Sequence, residues 1–386
     1  MIRQKLERII NNKCTLLGVG PMSIACTDAT IELANQYDVP IMLIASRRQI
    51  DSKKLGGGYV NNWTTAEFSE YVMNKDKGGK IILARDHGGP WQNTIEKNLG
   101  LGLRKAMKSA KESFQEDILA GFQIIHIDPS VDIYGKPSFE EIIDRIFELY
   151  EFCWEEACEK KQEIIFEIGT EEQSGSTNSR DDFEHMLETV IIICGKNNLP
   201  NPFFVVAQNG TKVMETKNVG SFDYPMRIAD ELPPEIQVPI ISKLCMKYGI
   251  NMKAHNTDYL SNESLQWYPR LGIHAANIAP EFGVIETRSL INILRSNNLE
   301  TLAEKFIEIA YSSKKWDKWM LKDSLATDYE RAIIAGHYVF ATEECMELKE
   351  HARIELRKNK IDLDEFLKEE VKKAIMRYLK NFRLVR

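Results

Sequence analysis

Eight short apolar runs, each followed by a stretch of helical period, set the strongest limit on how this chain can fold. The runs are Thr15–Gly20, Pro40–Ala45, Lys80–Asp86, Gln123–Asp128, Glu163–Thr170, Phe203–Asn209, Ile250–His255 and Gly272–Ile278. They are rich in Ile, Val and Leu at consecutive positions, as in strands of a parallel sheet buried on both faces. Between them, Asn93–Glu116, Phe139–Glu159, Arg180–Gly195 and Pro234–Tyr248 read as helices. In the first of these, Leu99, Leu103, Ala106 and Ala110 recur at helical spacing. Ser138, with Glu141 three residues on, is a capping box at the start of the second. Eight strand–helix units predict an α/β fold, the (β/α)8 TIM barrel. A doubly wound open sheet is the alternative, and it needs a glycine-rich first turn. Here the first strand runs into Gly18-Val19-Gly20-Pro21-Met22-Ser23, which lacks the third glycine of the dinucleotide fingerprint.

The barrel is expected to occupy residues 1–300. Residues 301–386 are expected to form a helical C-terminal extension packed on it, with helices over Thr301–Tyr311, Tyr329–Lys358 and Leu363–Phe382. A chain of 386 residues at 43% hydrophobic content has ample material for one large core. The net charge of −7 argues against a general nucleic-acid binder, which needs concentrated Lys and Arg. No apolar run approaches the roughly 18 residues of a membrane span, and the start, MIRQKLERIINNKC, has no apolar stretch of the secretory kind. The seven cysteines are scattered and contain no CxxC, which fits reduced residues of a cytoplasmic protein.

In such a barrel the active site lies at the C-terminal ends of the strands, and the polar residues gather there. The third to seventh runs end in Arg85-Asp86-His87-Gly88-Gly89-Pro90, His126-Ile127-Asp128-Pro129-Ser130, Glu167–Glu172, Gln208-Asn209-Gly210-Thr211 and Lys253–Asp258, and the eighth offers His274, Asn277 and Glu281. Four of the seven histidines, His87, His126, His255 and His274, lie on strands or at their ends. Imidazole with carboxylate is the ligand set of zinc, manganese, cobalt or nickel. His87 and His255 with Glu171 would supply three ligands and leave positions open; the alternative for each histidine is a hydrogen-bonded packing role. Asp86 beside His87 suits metal-assisted proton transfer, against a loop cap. The loop Leu55–Tyr59, the Gln208–Lys212 turn and the polar segment 171–180 are candidate anion-binding or lid elements. Arg85, Lys212 and Lys253 would make the rim locally basic.

At these strand ends the chain resembles the tagatose-bisphosphate aldolase accessory (non-catalytic) subunit family, whose wider membership includes sugar-phosphate C4-epimerases. The matching segments are Gly57-Gly58-Tyr59 with Thr65-Ala66-Glu67-Phe68, Asp86-His87-Gly88-Gly89-Pro90, Ile125-His126-Ile127-Asp128, Ile168-Gly169-Thr170-Glu171 and Ala254-His255-Asn256-Thr257-Asp258-Tyr259, with Lys315-Trp316, Trp319 and Asp323-Ser324-Leu325 in the tail.

The resemblance implies a class II aldolase-like barrel that acts on a phosphorylated ketose with a divalent metal. Asp86 would be the acid/base residue, with Asp128 and Asp258 as further catalytic candidates, and His87, Glu171 and His255 the metal ligands. Gly57, Gly58, His126, Gln208, Lys212, Lys253, His274, Asn277 and Glu281 are the candidate substrate-binding residues. A homo-oligomer or an aldolase partner subunit is implied, with no nucleic acid and no membrane. The chain departs from the family pattern at Lys253, where a glutamate is usual, in the loop after Glu171, at His274 and at Ala279–Val284, so its substrate need not be that of the well-known members. Three readings follow: a metal-dependent epimerase or aldolase on a ketose phosphate or a related sugar acid, a non-catalytic subunit of a separate aldolase, and an unrelated barrel enzyme such as a sugar isomerase.

Overall fold

All eight predicted runs form strands, and each pairs in parallel with both neighbours around a closed ring. The computed structural model describes residues 1–170, 174, 177–223 and 232–385. The strands are β1 (Leu16–Val19), β2 (Ile41–Ser46), β3 (Ile81–Gly88), β4 (Ile124–Ile127), β5 (Ile165–Ile168), β6 (Phe204–Val206), β9 (Asn251–Ala254) and β10 (Ala275–Ile278). A small antiparallel hairpin, β7 (Val213–Met214) and β8 (Lys217–Asn218), follows β6. The open-sheet alternative falls because β1 pairs with β10 from Leu16 opposite Ala275 to Val19 opposite Ile278, which closes the ring.

Strand alternation decides what the barrel interior contains. Leu16, Met42, Ile82, Ile124, Ile165, Phe204 and Ala275 form one apolar cluster at the N-terminal end. The helix Ile2–Asn11 closes that end by inserting Ile2 and Leu6 into the cluster. The opening segment is therefore a plug, and its Ile2, Leu6, Ile9 spacing is that of a helix face. Two residues further along the strands, the same inward phase brings Gly18, Ala84, His126, Glu167 and Asn277. The interior thus changes from apolar to polar towards the C-terminal rim.

The last helix, Leu363–Asn381, takes a place in the outer ring. It lies against the helices Ile24–Tyr37 and Pro280–Ser296. Val371, Ala374, Ile375, Tyr378, Leu379 and, just past its end, Phe382 join the main barrel core. Asp362 starts it by accepting from the Asp364 and Glu365 amides, and Lys368 and Lys372 reach Glu32 at 2.5 and 3.1 Å. The other tail helices build a second apolar cluster on the helix Pro280–Ser296, with Leu290, Ile291 and Leu294 meeting Phe306, Leu348 and Leu356. Among the described residues no helix is long and apolar enough to cross a membrane, and all seven cysteines are free.

Candidate functional site

The site begins with an irregularity in β3. Arg85 lies opposite Ile125 of β4, yet Gly88 lies opposite Ile127, so β3 carries one extra residue there. Such a bulge re-aims side chains, and it turns Asp86 and His87, neighbours in sequence, towards the same space. His87 adopts φ +45°, a backbone state that costs a non-glycine residue about 1–3 kcal/mol. Two contacts hold it: its amide donates to His126 Nδ1 at 3.1 Å, and its own Nδ1 lies 2.6 Å from Asp128 Oδ2. The two glycines that follow permit the close approach of β3 to β4. A Cβ at Gly88 would meet the Phe114 ring at 2.4 Å, and one at Gly89 the Asp128 carbonyl at 2.2 Å.

His87, His126 and His255 then form a near-equilateral triangle, with ring centroids 5.3, 5.0 and 5.2 Å apart. Glu167 from β5 lies beneath it. Its Oε1 is 2.9 Å from His255 Nε2, and its Oε2 accepts from Lys253 Nζ at 2.5 Å. Asn277 from β10 spans the opposite side, its Nδ2 3.0 Å from Asp86 Oδ1 and 3.1 Å from His255 Nε2. Asp86 faces all three imidazoles, at 3.5 Å from His126 Nδ1 and 3.8 Å from both His87 Nε2 and His255 Nε2.

The charges follow from this crowding. Burial alone would raise the Asp86 carboxyl, but His87, His255 and His126 outweigh it and hold the group well below the usual carboxylate range. Burial opposes the charge on His87, yet Asp86 and Asp128 prevail and lift it to about 9. The reciprocal bond keeps Asp128 at about 2 against its burial. Glu167, also opposed by burial, is held at about 2 by Lys253 first and the histidines next. His255 is lowered, chiefly by burial.

The residues present fit a divalent ion. Ligand atoms of His87, His126 and His255 lie within 4.8 Å of one another, as do those of Asp86, His126, Glu167 and His255. His126 turns Nδ1 to this group, 3.5 Å from Asp86 and 3.7 Å from Glu167, while its buried Nε2, on the Gly169 side, has no hydrogen-bond partner among the described residues. His87 has its Nδ1 on the Asp128 carboxylate, the usual outer support of a ligating imidazole, which leaves Nε2 for the ion. Borderline nitrogen and carboxylate donors suit zinc and its first-row neighbours. Glu171 lies outside the described residues. The carboxylate that the strands bring to the histidines is Glu167, which the sequence reading left out of the ligand set. The signal was its phase: a lone charge two residues after Ile165, in a strand buried throughout.

Residues 4–186 match the family model of the D-tagatose-1,6-bisphosphate aldolase subunit GatZ/KbaZ-like proteins. The resemblance read from the strand ends is thus borne out. Among solved structures, a Sinorhizobium meliloti 1021 protein described as a probable tagatose 6 phosphate kinase is 16% identical, with a TM-score of 0.69 over 95% of this chain and 100% of its own. The fructuronate-tagaturonate epimerase UxaE of Cohnella laeviribosi is 11% identical, with a TM-score of 0.60 over 96% of this chain and 81% of its own. The fructose-bisphosphate aldolase of Campylobacter jejuni is 12% identical, with a TM-score of 0.55 over 100% of this chain and 94% of its own. At these identities the likeness is one of fold.

Above the histidine triangle opens a cleft of about 420 Å3. Asp86, His87, Asp128, His255, Asp258 and Asn277 line it, with Arg48, Tyr59, Lys318, Trp319 and Tyr338. The tail therefore supplies part of the site wall, through Lys318, Trp319 and Tyr338.

Several sequence candidates take other places. Asp128 spends both oxygens, on His87 and Gln92 through one and on Ser130 through the other. Asp258 lines the cleft but accepts from the Ala279 and Glu281 amides, both at 2.9 Å, capping the helix after β10. Burial and the nearby Glu281 raise its carboxyl to about 7. Glu281 itself turns away to Tyr259, Tyr378 and Arg377, tying the last helix to the barrel. His274 precedes β10, so it lies at the opposite end of the barrel, accepts from the Met252 amide at 3.0 Å, and burial lowers it to about 4. Gln208 accepts from Ser174, and the Lys212 amide bonds Asn218 in the hairpin. Neither residue lines the cleft. Gly57 and Gly58 lie outside it too. A Cβ on Gly58 would meet the Gln49 carbonyl at 1.8 Å, so this glycine presses its loop onto the turn that carries Arg48. Arg85, expected to make the rim basic, is buried against Asp117 at 2.5 Å.

Proposed function

We propose that the chain is a divalent-metal-dependent C4-epimerase of a ketose phosphate of the tagatose/fructose type, working in the cytoplasm by retro-aldol and aldol chemistry. The observation that carries this reading is the triangle of His87, His126 and His255 with Asp86 facing it and Glu167 beneath. A purely structural partner has no need of converging ligands. His87, His126 and His255, with Glu167, would hold the ion, which supplies Lewis-acid polarisation of the ketose carbonyl and its neighbouring hydroxyl.

Asp86, ionised and open to the cleft, takes the proton of the C4 hydroxyl. The C3–C4 electron pair passes to C3, giving a three-carbon enediolate and an aldehyde at C4. The aldehyde turns to present its other face, the C3–C4 bond re-forms, and Asp86 returns the proton to O4. Asn277 holds Asp86 in place through its amide, and Asp128 orients His87.

The test is turnover of D-tagatose and D-fructose phosphates in D2O with zinc, manganese, cobalt or nickel, followed by NMR. The expected product has inverted C4 and no deuterium on that carbon. Deuterium at C4 would mean exchange of the C4 hydrogen and would sink the retro-aldol route. The second reading, a non-catalytic subunit, is favoured by the family's own description as an aldolase subunit. It wins if no ketose phosphate turns over while a co-purifying aldolase gains activity from this chain.

A further inference from the structure

The lining of the cleft carries charges of both signs. Asp86, Asp128, His87 and His255 contribute to it, and so do Arg48, from the turn after β2, and Lys318, from the 3-10 turn Asp317–Trp319 of the tail. Among the described residues, all four fully buried cations of the molecule are ion-paired. Arg47 meets Glu96 at 2.6 Å, Arg85 meets Asp117 at 2.5 Å, Arg145 meets Asp132 at 2.8 Å and Lys253 meets Glu167 at 2.5 Å. Arg48, half-buried and next in sequence to Arg47, has no carboxylate partner among the described residues, and neither has the exposed Lys318.

Lys318 is nevertheless held in place. Its Nζ lies 4.6 Å from the Trp319 ring centre and 5.4 Å from that of Tyr338. Trp319 Nε1 donates to the Tyr338 hydroxyl at 3.1 Å, and Tyr338 packs on Tyr59 at 4.7 Å between centroids. The Tyr59 amide in turn donates to the Arg48 carbonyl at 3.1 Å, joining the two halves of the wall. The ammonium is thus oriented by aromatic faces and has no carboxylate partner among the described residues. Lys318 is an exposed residue, and the enclosure of its ammonium, then Arg48, Lys97 and Lys315, lower it below the ordinary lysine range. Two cations on one cleft wall with no carboxylate partner among the described residues gain most from an incoming anion.

We propose that Arg48 and Lys318, on the wall of the cleft, form the site for the anionic terminal group of the substrate, a phosphate monoester or a carboxylate. This deepens the proposed function and rests on it for the word substrate. The tail residue Lys318 then selects for a charged sugar, and the C-terminal extension is part of the specificity machinery.

The test uses the full chain with EDTA present, titrated calorimetrically with inorganic phosphate and, separately, with acetate. Saturable binding is expected, weakened about tenfold or more in Arg48→Met and in Lys318→Met, and partly restored in Arg48→Lys. His255→Ala should leave anion affinity within about twofold, since this residue belongs to the ion site and not to the anion wall. That arm separates failure of the anion site from failure of the proposed chemistry. Tighter binding of phosphate supports a sugar phosphate, and tighter binding of acetate a sugar acid. No saturable binding of either anion, or binding unchanged in both methionine variants with circular dichroism unaltered, would overturn the proposal.

Discussion

Lys253 and Glu167 form an ion pair inside the barrel, Nζ to Oε2 at 2.5 Å, with both side chains closed to solvent. The same carboxylate reaches His255 with its other oxygen, so the lysine fixes the charge and the orientation of the one acid beneath the histidine triangle. Lys253→Met should cost about 3–5 kcal/mol, because it strands a buried carboxylate. Lys253→Met combined with Glu167→Leu should recover much of that loss, since no charge is then left unpaired. Urea unfolding of both variants checks this; a single variant within about 1 kcal/mol of the parent would show that the pair is not the buried contact described.

The His87–Asp128 pair gives stability a defined dependence on pH. His87 is raised to about 9 from an ordinary value of about 6.5. Its contribution is therefore complete below about 6.5 and is lost as pH rises through about 9. Asp128, lowered to about 2, loses its contribution only as pH falls through that value. In metal-free Asp128→Asn, the NMR titration of His87 should move from about 9 towards the ordinary range, and the alkaline loss of stability should flatten. An unmoved titration would assign the whole upward shift to Asp86.

Gly169 leaves room for His126. A Cβ there would meet His126 Nε2 at 2.7 Å, so Gly169→Ala must displace the ring. The expected result is a modest loss of stability, about 1–3 kcal/mol, with metal affinity down by about tenfold or more. Equilibrium dialysis against zinc, beside a thermal melt, separates the two effects. Unchanged zinc binding would remove His126 from the ion site.

His87→Ala and His255→Ala should each lower bound metal and turnover while leaving circular dichroism unchanged. Metal analysis of purified protein provides the check. Retention of both metal and activity in the two variants would rule out the site as drawn.

The barrel was legible because its signal is carried by whole segments: eight buried strands cannot hide their apolar runs. The bulge at Asp86–His87 was half legible. Both residues were expected to reach the site from a strand end, but the extra residue that allows it depends on the register of β3 against β4. Glu167 was missed although its phase with Ile165 marked it, because Glu171 stood in a more familiar motif. His274 misled for the opposite reason. A histidine beside an apolar run looks the same at either end of a strand, and only the pairing of β10 shows that it lies at the base. Lys318 was out of reach, since nothing local in a tail segment says which face of the barrel it will cover; Arg48, two residues past the end of β2, was within reach of the strand-end rule and was passed over.

The place of the last helix in the outer ring bears on how the molecule is made. The seam between the helices Ile24–Tyr37 and Pro280–Ser296 is covered by side chains from Val371 to Phe382. A ribosome adding about 5–20 residues per second finishes β10 and needs on the order of 5–20 s more to deliver them. Until then a nascent barrel carries an open apolar strip along one flank, and Lys318, Trp319 and Tyr338 complete the cleft wall only near the end. The flank and the cleft wall are therefore among the last parts of the molecule to be completed.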